Sequence, residues 1–553
     1  MKKFQLAFSI LLILCSGSFV SVAPARQNSS TPAATAAVTK PVEEMVAMRD
    51  GVRLSTNIYL PEGKGPFPVV LIRTPYGKLT QAVGFAAWTR RGFALVTQDV
   101  RGKGTSEGPY RPFMDDPTDG FDTVEWIARQ PWSNGKVGMF GVSAMGIASN
   151  LAAMMNPPHL VATFVMLARS SIFTQSAFMG GVFRKELNEI WLKRQGALDV
   201  LNETFKHNVY DHFYDIAEMP LYWDKIKVPV YNFGGWYDIF AQGNIDNFVG
   251  QQAQGGRLAA GNQKLTMGPW GHGQIEEIKY PANSVMSYTE EALRWFDYWL
   301  QGKDNGILDE PPVKYYVMGD VNDPKAPGNE WRAAVAWPVP AKTTSYFLTT
   351  NNGLSDKLPA EAESTETYKY DPRNPVPTIG GANLNIKKGP MDQRAVGLRP
   401  DVLKFMTPVL DAPVEVTGRV KVELWAESDA PDTDFMAKLV DVYPDGSERL
   451  VLDSAIRARF REGLDHEVWM KKGEVYRLTL DLWSTSIIFN KGHRIAIHIT
   501  SSNDPRFDPN PNTGKPLRAD NETRVAANTI HHDRAHPSRV LLPVVPVYNG
   551  KRP

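Results

Sequence analysis

The segment Gly141-Val142-Ser143-Ala144-Met145-Gly146 places a serine between a short apolar run, VGMF (residues 137–140), and a helical run, IASNLAAMM (residues 147–155). A serine at that junction sits on a tight strand-to-helix turn, and its small neighbours permit the turn. The helix N-terminus beneath it supplies a positive dipole end and free backbone N–H groups. These features suit a serine oxygen that attacks a carbonyl carbon. The motif departs from G-x-S-x-G, because Met145 stands at the second glycine position and Gly146 follows one place later. On its own, the segment has a competing reading as a serine in a helix-capping turn.

Such a serine needs a base, and the base needs an orienting acid. In α/β-hydrolase sheets the chain order is Ser, Asp, His. The chain has 10 histidines, so the search is short. His159 follows the serine helix too closely. His207 and His212 lie in a helical stretch before any acid at a strand end. His466, His493, His498, His531, His532 and His536 fall in a β-rich region. His272 remains, in the turn-rich loop GPWGH after the run KLTM. Asp238 closes GGWYD, after the run VPVYNF (residues 228–233). Both positions are the carboxyl ends of expected strands, where α/β sheets place their ligands. Singly, Asp238 could cap a helix and His272 could be a buried, hydrogen-bonded histidine; the order of the three favours a catalytic set. For the oxyanion, the Ala144 N–H is one donor. The loop after PVVLI (residues 68–72) should supply another. That loop, Arg73-Thr74-Pro75-Tyr76-Gly77-Lys78, lacks a glycine-rich run but offers the Tyr76 phenol, unless Tyr76 is simply a packed aromatic.

The elements that must hold these residues follow from periodicity. Residues 43–60 read as strands with a hairpin signal at Asp50-Gly51. PVVLI, ALVTQD (residues 94–99) and VGMF are continuous apolar runs, as expected of strands buried on both faces of a parallel sheet. Residues 119–129 form a helical pattern between two of them. From residue 170 to 226 the alternation stops, and FRKELNEIWLKR and ETFKHNVYDHFYDI read as an inserted helical segment. The sheet resumes at residue 228, and EEALRWFDYWL (residues 290–300) is an amphipathic helix able to close the domain. Beyond Gly302, short alternating runs (VKYYVMG, TSYFLTT, RVKVELWAES, FMAKLVDVYP, VYRLTLDLW, RIAIHITSS) indicate an all-β sandwich or jelly roll. The loop Asp99-Val100-Arg101-Gly102 reads as scaffold. His531-His532 reads as a surface strand end with no third metal ligand near it.

At 553 residues the chain is long enough for two or three domains. Lys+Arg 61 against Asp+Glu 60 leaves no basic surplus for nucleic acid. The single cysteine, Cys15, excludes an intramolecular disulfide and a Cys-based zinc site. Lys2, Lys3 and the apolar run of residues 4–15 describe a secretory signal peptide rather than a span, with Ala23-Pro24-Ala25 as the cleavage site. Leu14, before Cys15, argues against lipid anchoring. Residues 26–42 then read as a flexible tether, and the enzyme as periplasmic or secreted, with no membrane span.

RTPYGK, QDVRGKGTSEG, GVSAMG, GGWYD and GPWGH together resemble the cocaine esterase-like acyl hydrolases of the X-Pro dipeptidyl-peptidase and α-amino-acid ester hydrolase superfamily. The resemblance runs from about residue 43 to the end and includes VKVELWAESDAPDTDFMAKLVDVYPDG and LWSTSIIFNKGHRIAIHITSSNDPRFDPNPNTG. It implies an α/β-hydrolase domain (43–169 and 227–302), a helical cap (170–226) and a jelly-roll β-sandwich domain (303–553). It implies Ser143 as nucleophile, His272 as base, Asp238 as its partner and Tyr76 as an oxyanion donor, and it makes Phe240 a candidate wall of the acyl pocket. Two departures stand out. Ala144 replaces a common tyrosine, and Asp238 is followed by Ile239, Phe240, Ala241 and Gln242 rather than by acids that would hold an α-ammonium group. The expected protein is a serine hydrolase of small-molecule esters, extending to amides, that needs no cofactor or metal. A homo-oligomer is left open. The alternatives are an X-Pro dipeptidyl-peptidase or α-amino-acid ester hydrolase/β-lactam acylase, and, in another class, a surface- or carbohydrate-binding protein with an inactive hydrolase domain.

Overall fold

The computed structural model describes residues 40–82, 85–256 and 258–546. The expected signal segment, its cleavage site, Cys15 and most of the tether lie outside the described residues. Among the described residues, no helix is long and apolar enough to cross a membrane.

The apolar runs of the first half become a 10-stranded sheet. In chain order its elements begin with β1 (Val42–Ala47), β2 (Arg53–Tyr59), β3 (Phe67–Thr74), α1 (Phe85–Arg90), β4 (Ala94–Asp99), α2 (Asp116–Ala128), β5 (Ser133–Val142), α3 (Ala144–Met154) and β6 (Leu160–Met166). A short hairpin, β7 (Phe178–Met179) and β8 (Val182–Phe183), opens the inserted segment, followed by α4 (Lys185–Gln195) and α5 (Val200–Lys206). The sheet resumes with β9 (Val230–Tyr237), α6 (Ala241–Gln254), β10 (Lys264–Gly271), α7 (Tyr288–Gln301), β11 (Val313–Val317) and β12 (Glu330–Ala334). The spatial order is β1-β2-β4-β3-β5-β6-β9-β10-β11-β12, parallel from β4 to β11.

The continuous apolar runs have the expected cause. Along β3, Val69 and Leu71 pack with Val124, Ile147 and Leu151 of α2 and α3, while Val70 and Ile72 pack with Trp88, Trp295 and Phe296 on the other face. Neither face meets water, so both sets of alternating positions must be apolar. Helix α7 carries Leu293, Phe296 and Leu300 on one face. Its first turn is capped by the Ser287 side chain, which accepts from the Glu290 N–H at 3.3 Å, and it ends at left-handed Gly302. Each large side chain buried this way contributes about 1.5–3 kcal/mol.

Beyond β12 the described residues form strands joined by loops, with one short α-helix (Arg394–Gly397) and one 3₁₀ turn (Ala458–Phe460). The strands make an 11-stranded sheet whose longest pair, Val414–Ser428 and Tyr476–Phe489, is antiparallel. This is the all-β domain expected from the alternating runs. One run is placed differently. VKYYV, grouped by sequence with the region beyond Gly302, is β11 and pairs in parallel with β10, and β12 follows it at the edge of the first sheet. Alternation identifies a strand but not its partner. β11 also joins the two sheets: the Met318 N–H donates to Ser486 O at 2.9 Å and the Ile488 N–H to Met318 O at 2.8 Å. A single apolar core accordingly runs from Met267 and Tyr316 into Val422 and Leu480.

The inserted segment differs in one respect from its helical reading. The pattern at residues 203–216 stops being α-helix at His207. There the Tyr210 N–H donates to Leu464 O at 2.7 Å, and the His207 ring stacks on Phe213 at 4.2 Å. A tertiary partner for the backbone replaces the intrahelical one.

Candidate active site

Strand β5 delivers Ser143 to the head of α3. Ser143 has φ 60 and ψ −125, a strained conformation that lifts its side chain out of the sheet. The backbone is held on both sides. The Ser143 N–H donates to Met166 O and its carbonyl accepts from the Ile147 N–H, both at 2.9 Å. The turn is possible because Gly141 has no side chain; a Cβ there would lie 2.2 Å from the Met145 carbonyl atoms. The second close approach falls at Gly146, where a Cβ would meet Gly141 O at 2.9 Å and Met166 O at 3.0 Å. The displaced glycine of GVSAMG therefore sits where the helix crosses the strands, and Met145 is free to pack in the core.

Asp238 follows β9 and is fully buried. Its Oδ1 accepts from the Phe240 N–H at 2.7 Å, which leaves Oδ2 for His272. His272 follows β10, with Nδ1 2.6 Å from Asp238 Oδ2 and Nε2 2.8 Å from Ser143 Oγ. Residues 129 and 34 positions apart from His272 thus meet because β5, β9 and β10 end at one edge of the parallel sheet. Lys388, which sequence reasoning missed, donates to the carbonyls of His272 (3.2 Å) and Leu384 (2.9 Å), tying the histidine loop to the second half of the chain.

Tyr76 lies in the loop after β3, where its N–H donates to Thr74 Oγ1 at 3.0 Å. Its hydroxyl accepts from the Trp191 indole N–H at 3.0 Å and lies close enough to Ser143 to be influenced by it. Burial pushes the Tyr76 hydroxyl up from its ordinary pKa, and Trp191 and Ser143 draw it part of the way back. Ala144 is buried at the first position of α3, so its N–H has no intrahelical acceptor. Trp191, on α4, had no sequence signal.

Ser143 and Ala144 open onto a cavity of about 350 Å³. Its walls are mostly apolar and include Phe113, Ile147, Trp191, Tyr214 and the sequence-predicted Phe240. Phe113 stacks on Trp191 at 5.6 Å, and Phe240 meets the His272 ring edge-on at 6.1 Å. Among the described residues, the only carboxylates in the lining are Asp199 and Glu203, both exposed.

Comparison with known proteins places this geometry. The chain is 33% identical to the cocaine esterase of Rhodococcus sp., over 91% of this chain and 98% of that protein. It matches the model of the X-Pro dipeptidyl-peptidase (S15) family over residues 50–199 and 185–274. The chain belongs to the cocaine esterase-like acyl hydrolases of the X-Pro dipeptidyl-peptidase and α-amino-acid ester hydrolase superfamily. Residues 305–541 match the C-terminal non-catalytic domain of X-Pro dipeptidyl-peptidases, which fits the second, all-β sheet. Among solved structures, an α-amino acid ester hydrolase superposes with a TM-score of 0.78 at 25% identity, covering 95% of this chain and 100% of that one. An aminopeptidase from a Thaumarchaeota archaeon shares the fold, with a TM-score of 0.83 at 23% identity and coverage of 96% and 100%. As a member of this family the chain is a serine hydrolase.

Two other sequence readings meet the structure away from the site. Arg101 binds Asp119 at 2.7 Å and Asp50 at 2.7 Å, and Asp99 accepts from the Lys78 N–H at 2.6 Å, so this loop braces the sheet edge. At His531-His532 a third donor is in fact near. Asp533 and His536 bring ligand-type atoms within 4.8 Å of one another and of His531. The turn after residue 531 folds back, which the spacing alone did not reveal. Asp533 Oδ1 there already accepts the N–H groups of Ala535 and His536.

Proposed function

We propose that this chain hydrolyses carboxylic esters through an acyl-enzyme on Ser143, with His272 as general base and Asp238 as its partner. The observation that carries this reading is the unbroken line of contacts from Asp238 to His272 (2.6 Å) to Ser143 Oγ (2.8 Å). Ser143 attacks the acyl carbon as its proton passes to His272 Nε2. Asp238 holds the Nδ1–H tautomer and stabilises the imidazolium. The Ala144 N–H and the Tyr76 O–H receive the oxyanion. Trp191 donates to the Tyr76 oxygen, so the phenol's own hydrogen is left for that oxyanion. His272 then protonates the leaving oxygen, and water repeats the sequence to release the acid. The same steps serve an amide whose leaving nitrogen His272 protonates. Phe240 walls the acyl pocket beside the histidine.

The similarity to a cocaine esterase and to an α-amino acid ester hydrolase favours esters as substrates. An X-Pro dipeptidyl-peptidase must hold a free amine, and the buried cavity walls offer no carboxylate for it. We assign residues 170–226 as a cap over the site, between the hydrolase segments 43–169 and 227–302; the first sheet continues through β12, and the jelly-roll domain follows it. The N-terminal pattern of residues 1–25 is assigned as a signal peptide that directs the enzyme out of the cytoplasm.

Treatment with a fluorophosphonate is expected to add one adduct by intact mass, mapped to Ser143 by peptide digestion. Labelling that persists in Ser143→Ala overturns the assignment, and complete inertness favours a binding protein on a retired hydrolase fold. Tyr76→Phe is expected to lower kcat by about 10²–10³, the usual cost of one oxyanion donor. Unchanged turnover on an aryl ester removes Tyr76 from the mechanism.

A further inference from the structure

Arg169 lies in the loop just beyond β6 and lines the same cavity as Ser143. It is 1% exposed, yet it forms no ion pair with any described residue. Nε and Nη2, which share one edge of the guanidinium, have no hydrogen-bond partner. The nearest acidic influences are Glu218 and Asp116. Asp116 is committed to Arg73 at 2.6 Å. The Glu218 carboxylate accepts from the Ile172 N–H at 3.0 Å, and burial pushes its pKa up. The Arg169 plane instead lies over the Phe113 ring at 4.6 Å, and Phe113 in turn stacks on Trp191. Burial pulls Arg169 down to about 10, which still leaves it cationic at neutral pH.

A buried cation without a counter-charge is costly, and native proteins pair such groups. A planar guanidinium fork is the side chain best matched to a carboxylate, which it can bind through two parallel N–H···O bonds. The structure supplies the cation and the cavity, while Glu218, the carboxylate it feels most, acts on it only through space, with no ion pair or hydrogen bond between them. The acidic residues of the lining, Asp199 and Glu203, stand exposed, and neither forms an ion pair with the buried guanidinium.

We infer that Arg169 binds the substrate, and that the preferred esters carry a free carboxylate on the acyl or the alcohol part, within reach of the cavity. The inference rests on the acyl-enzyme reading above. The test uses matched esters. One arm pairs a neutral p-nitrophenyl acyl ester with one of similar length ending in a carboxylate; the other pairs phenyl acetate with 4-carboxyphenyl acetate. The wild-type chain is expected to prefer the anionic member in at least one arm. Arg169→Met should then lower kcat/KM for that member by roughly 10–10²-fold, the loss of a charge-assisted pair, and change the neutral ester by less than threefold. Arg169→Lys should recover part of the loss, since it restores charge without the fork. Thermal unfolding of Arg169→Met should occur no lower than in the wild type, because an unpaired buried charge is removed. Absence of any anion preference in both arms overturns the proposal, as does an equal fall for neutral and anionic esters. Fluorophosphonate labelling of Ser143 in each variant separates these failures from failure of the serine mechanism: intact labelling without an anion preference removes only Arg169.

Discussion

Replacing Ser143 with alanine is expected to lower kcat by about 10⁴–10⁶, with the fold intact. The size follows from what is removed. Ser143 Oγ is the atom facing His272 Nε2, and among the described residues no other hydroxyl is hydrogen-bonded to that nitrogen. On the proposed mechanism its loss abolishes the acyl-enzyme and leaves only the oxyanion donors and substrate binding, which in serine hydrolases give a small residual rate. Alanine keeps the strained φ of 60 at position 143, so it relieves nothing and adds no bulk. Stopped-flow and steady-state assays on an aryl ester measure the loss, and circular dichroism reports the fold. A fall of less than tenfold in a folded variant means that another group carries the attack.

Asp238→Asn is expected to lower kcat by about 10⁴, the cost found when a buried triad acid is made neutral. The reason lies in the two bonds of the carboxylate. Oδ1 accepts from the Phe240 N–H at 2.7 Å and Oδ2 faces His272 Nδ1 at 2.6 Å. An asparagine has one oxygen to meet both N–H groups. If that oxygen stays on Phe240, the amide NH₂ faces Nδ1 and forces the imidazole proton onto Nε2. The histidine then presents a proton to Ser143 where it must accept one. The rate of fluorophosphonate labelling should fall with kcat, while KM for a neutral ester changes little. Labelling at the wild-type rate overturns the role of Asp238.

Much of the site was legible in the sequence because of where parallel strands end. GVSAMG, GGWYD and GPWGH each follow an apolar run, and the parallel order of β5, β9 and β10 brings all three ends to one edge. Ser143, Asp238 and His272 could therefore be chosen from chain order and strand position. Tyr76 was weaker: the residues offered a phenol in the right loop, and the family resemblance chose it over a packed aromatic. Trp191, Lys388 and Arg169 were not legible. Trp191 lies 115 positions from Tyr76 and Lys388 lies 116 from His272, on segments whose local patterns describe only an amphipathic helix and a loop. Arg169 looked ordinary because burial without a partner is a property of its surroundings.

The same division holds for the fold. The apolar runs of β3, β4 and β5 determined a sheet covered on both faces, since no other arrangement hides every residue of a run from water. The alternating runs determined that the second half is β. Tertiary structure decided the rest. It assigned VKYYV to the first sheet, because backbone pairing depends on which edge is open rather than on side-chain alternation. It ended α5 at His207 by offering the chain a carbonyl from Leu464. It enclosed the cavity between the sheet edge and α4, where a serine and a guanidinium without an ion-pair partner share one lining and Trp191 holds a phenol. Sequence alone determined which groups could react; only packing between distant segments determined what surrounds them, because burial and charge compensation are sums over neighbours that the linear order does not contain.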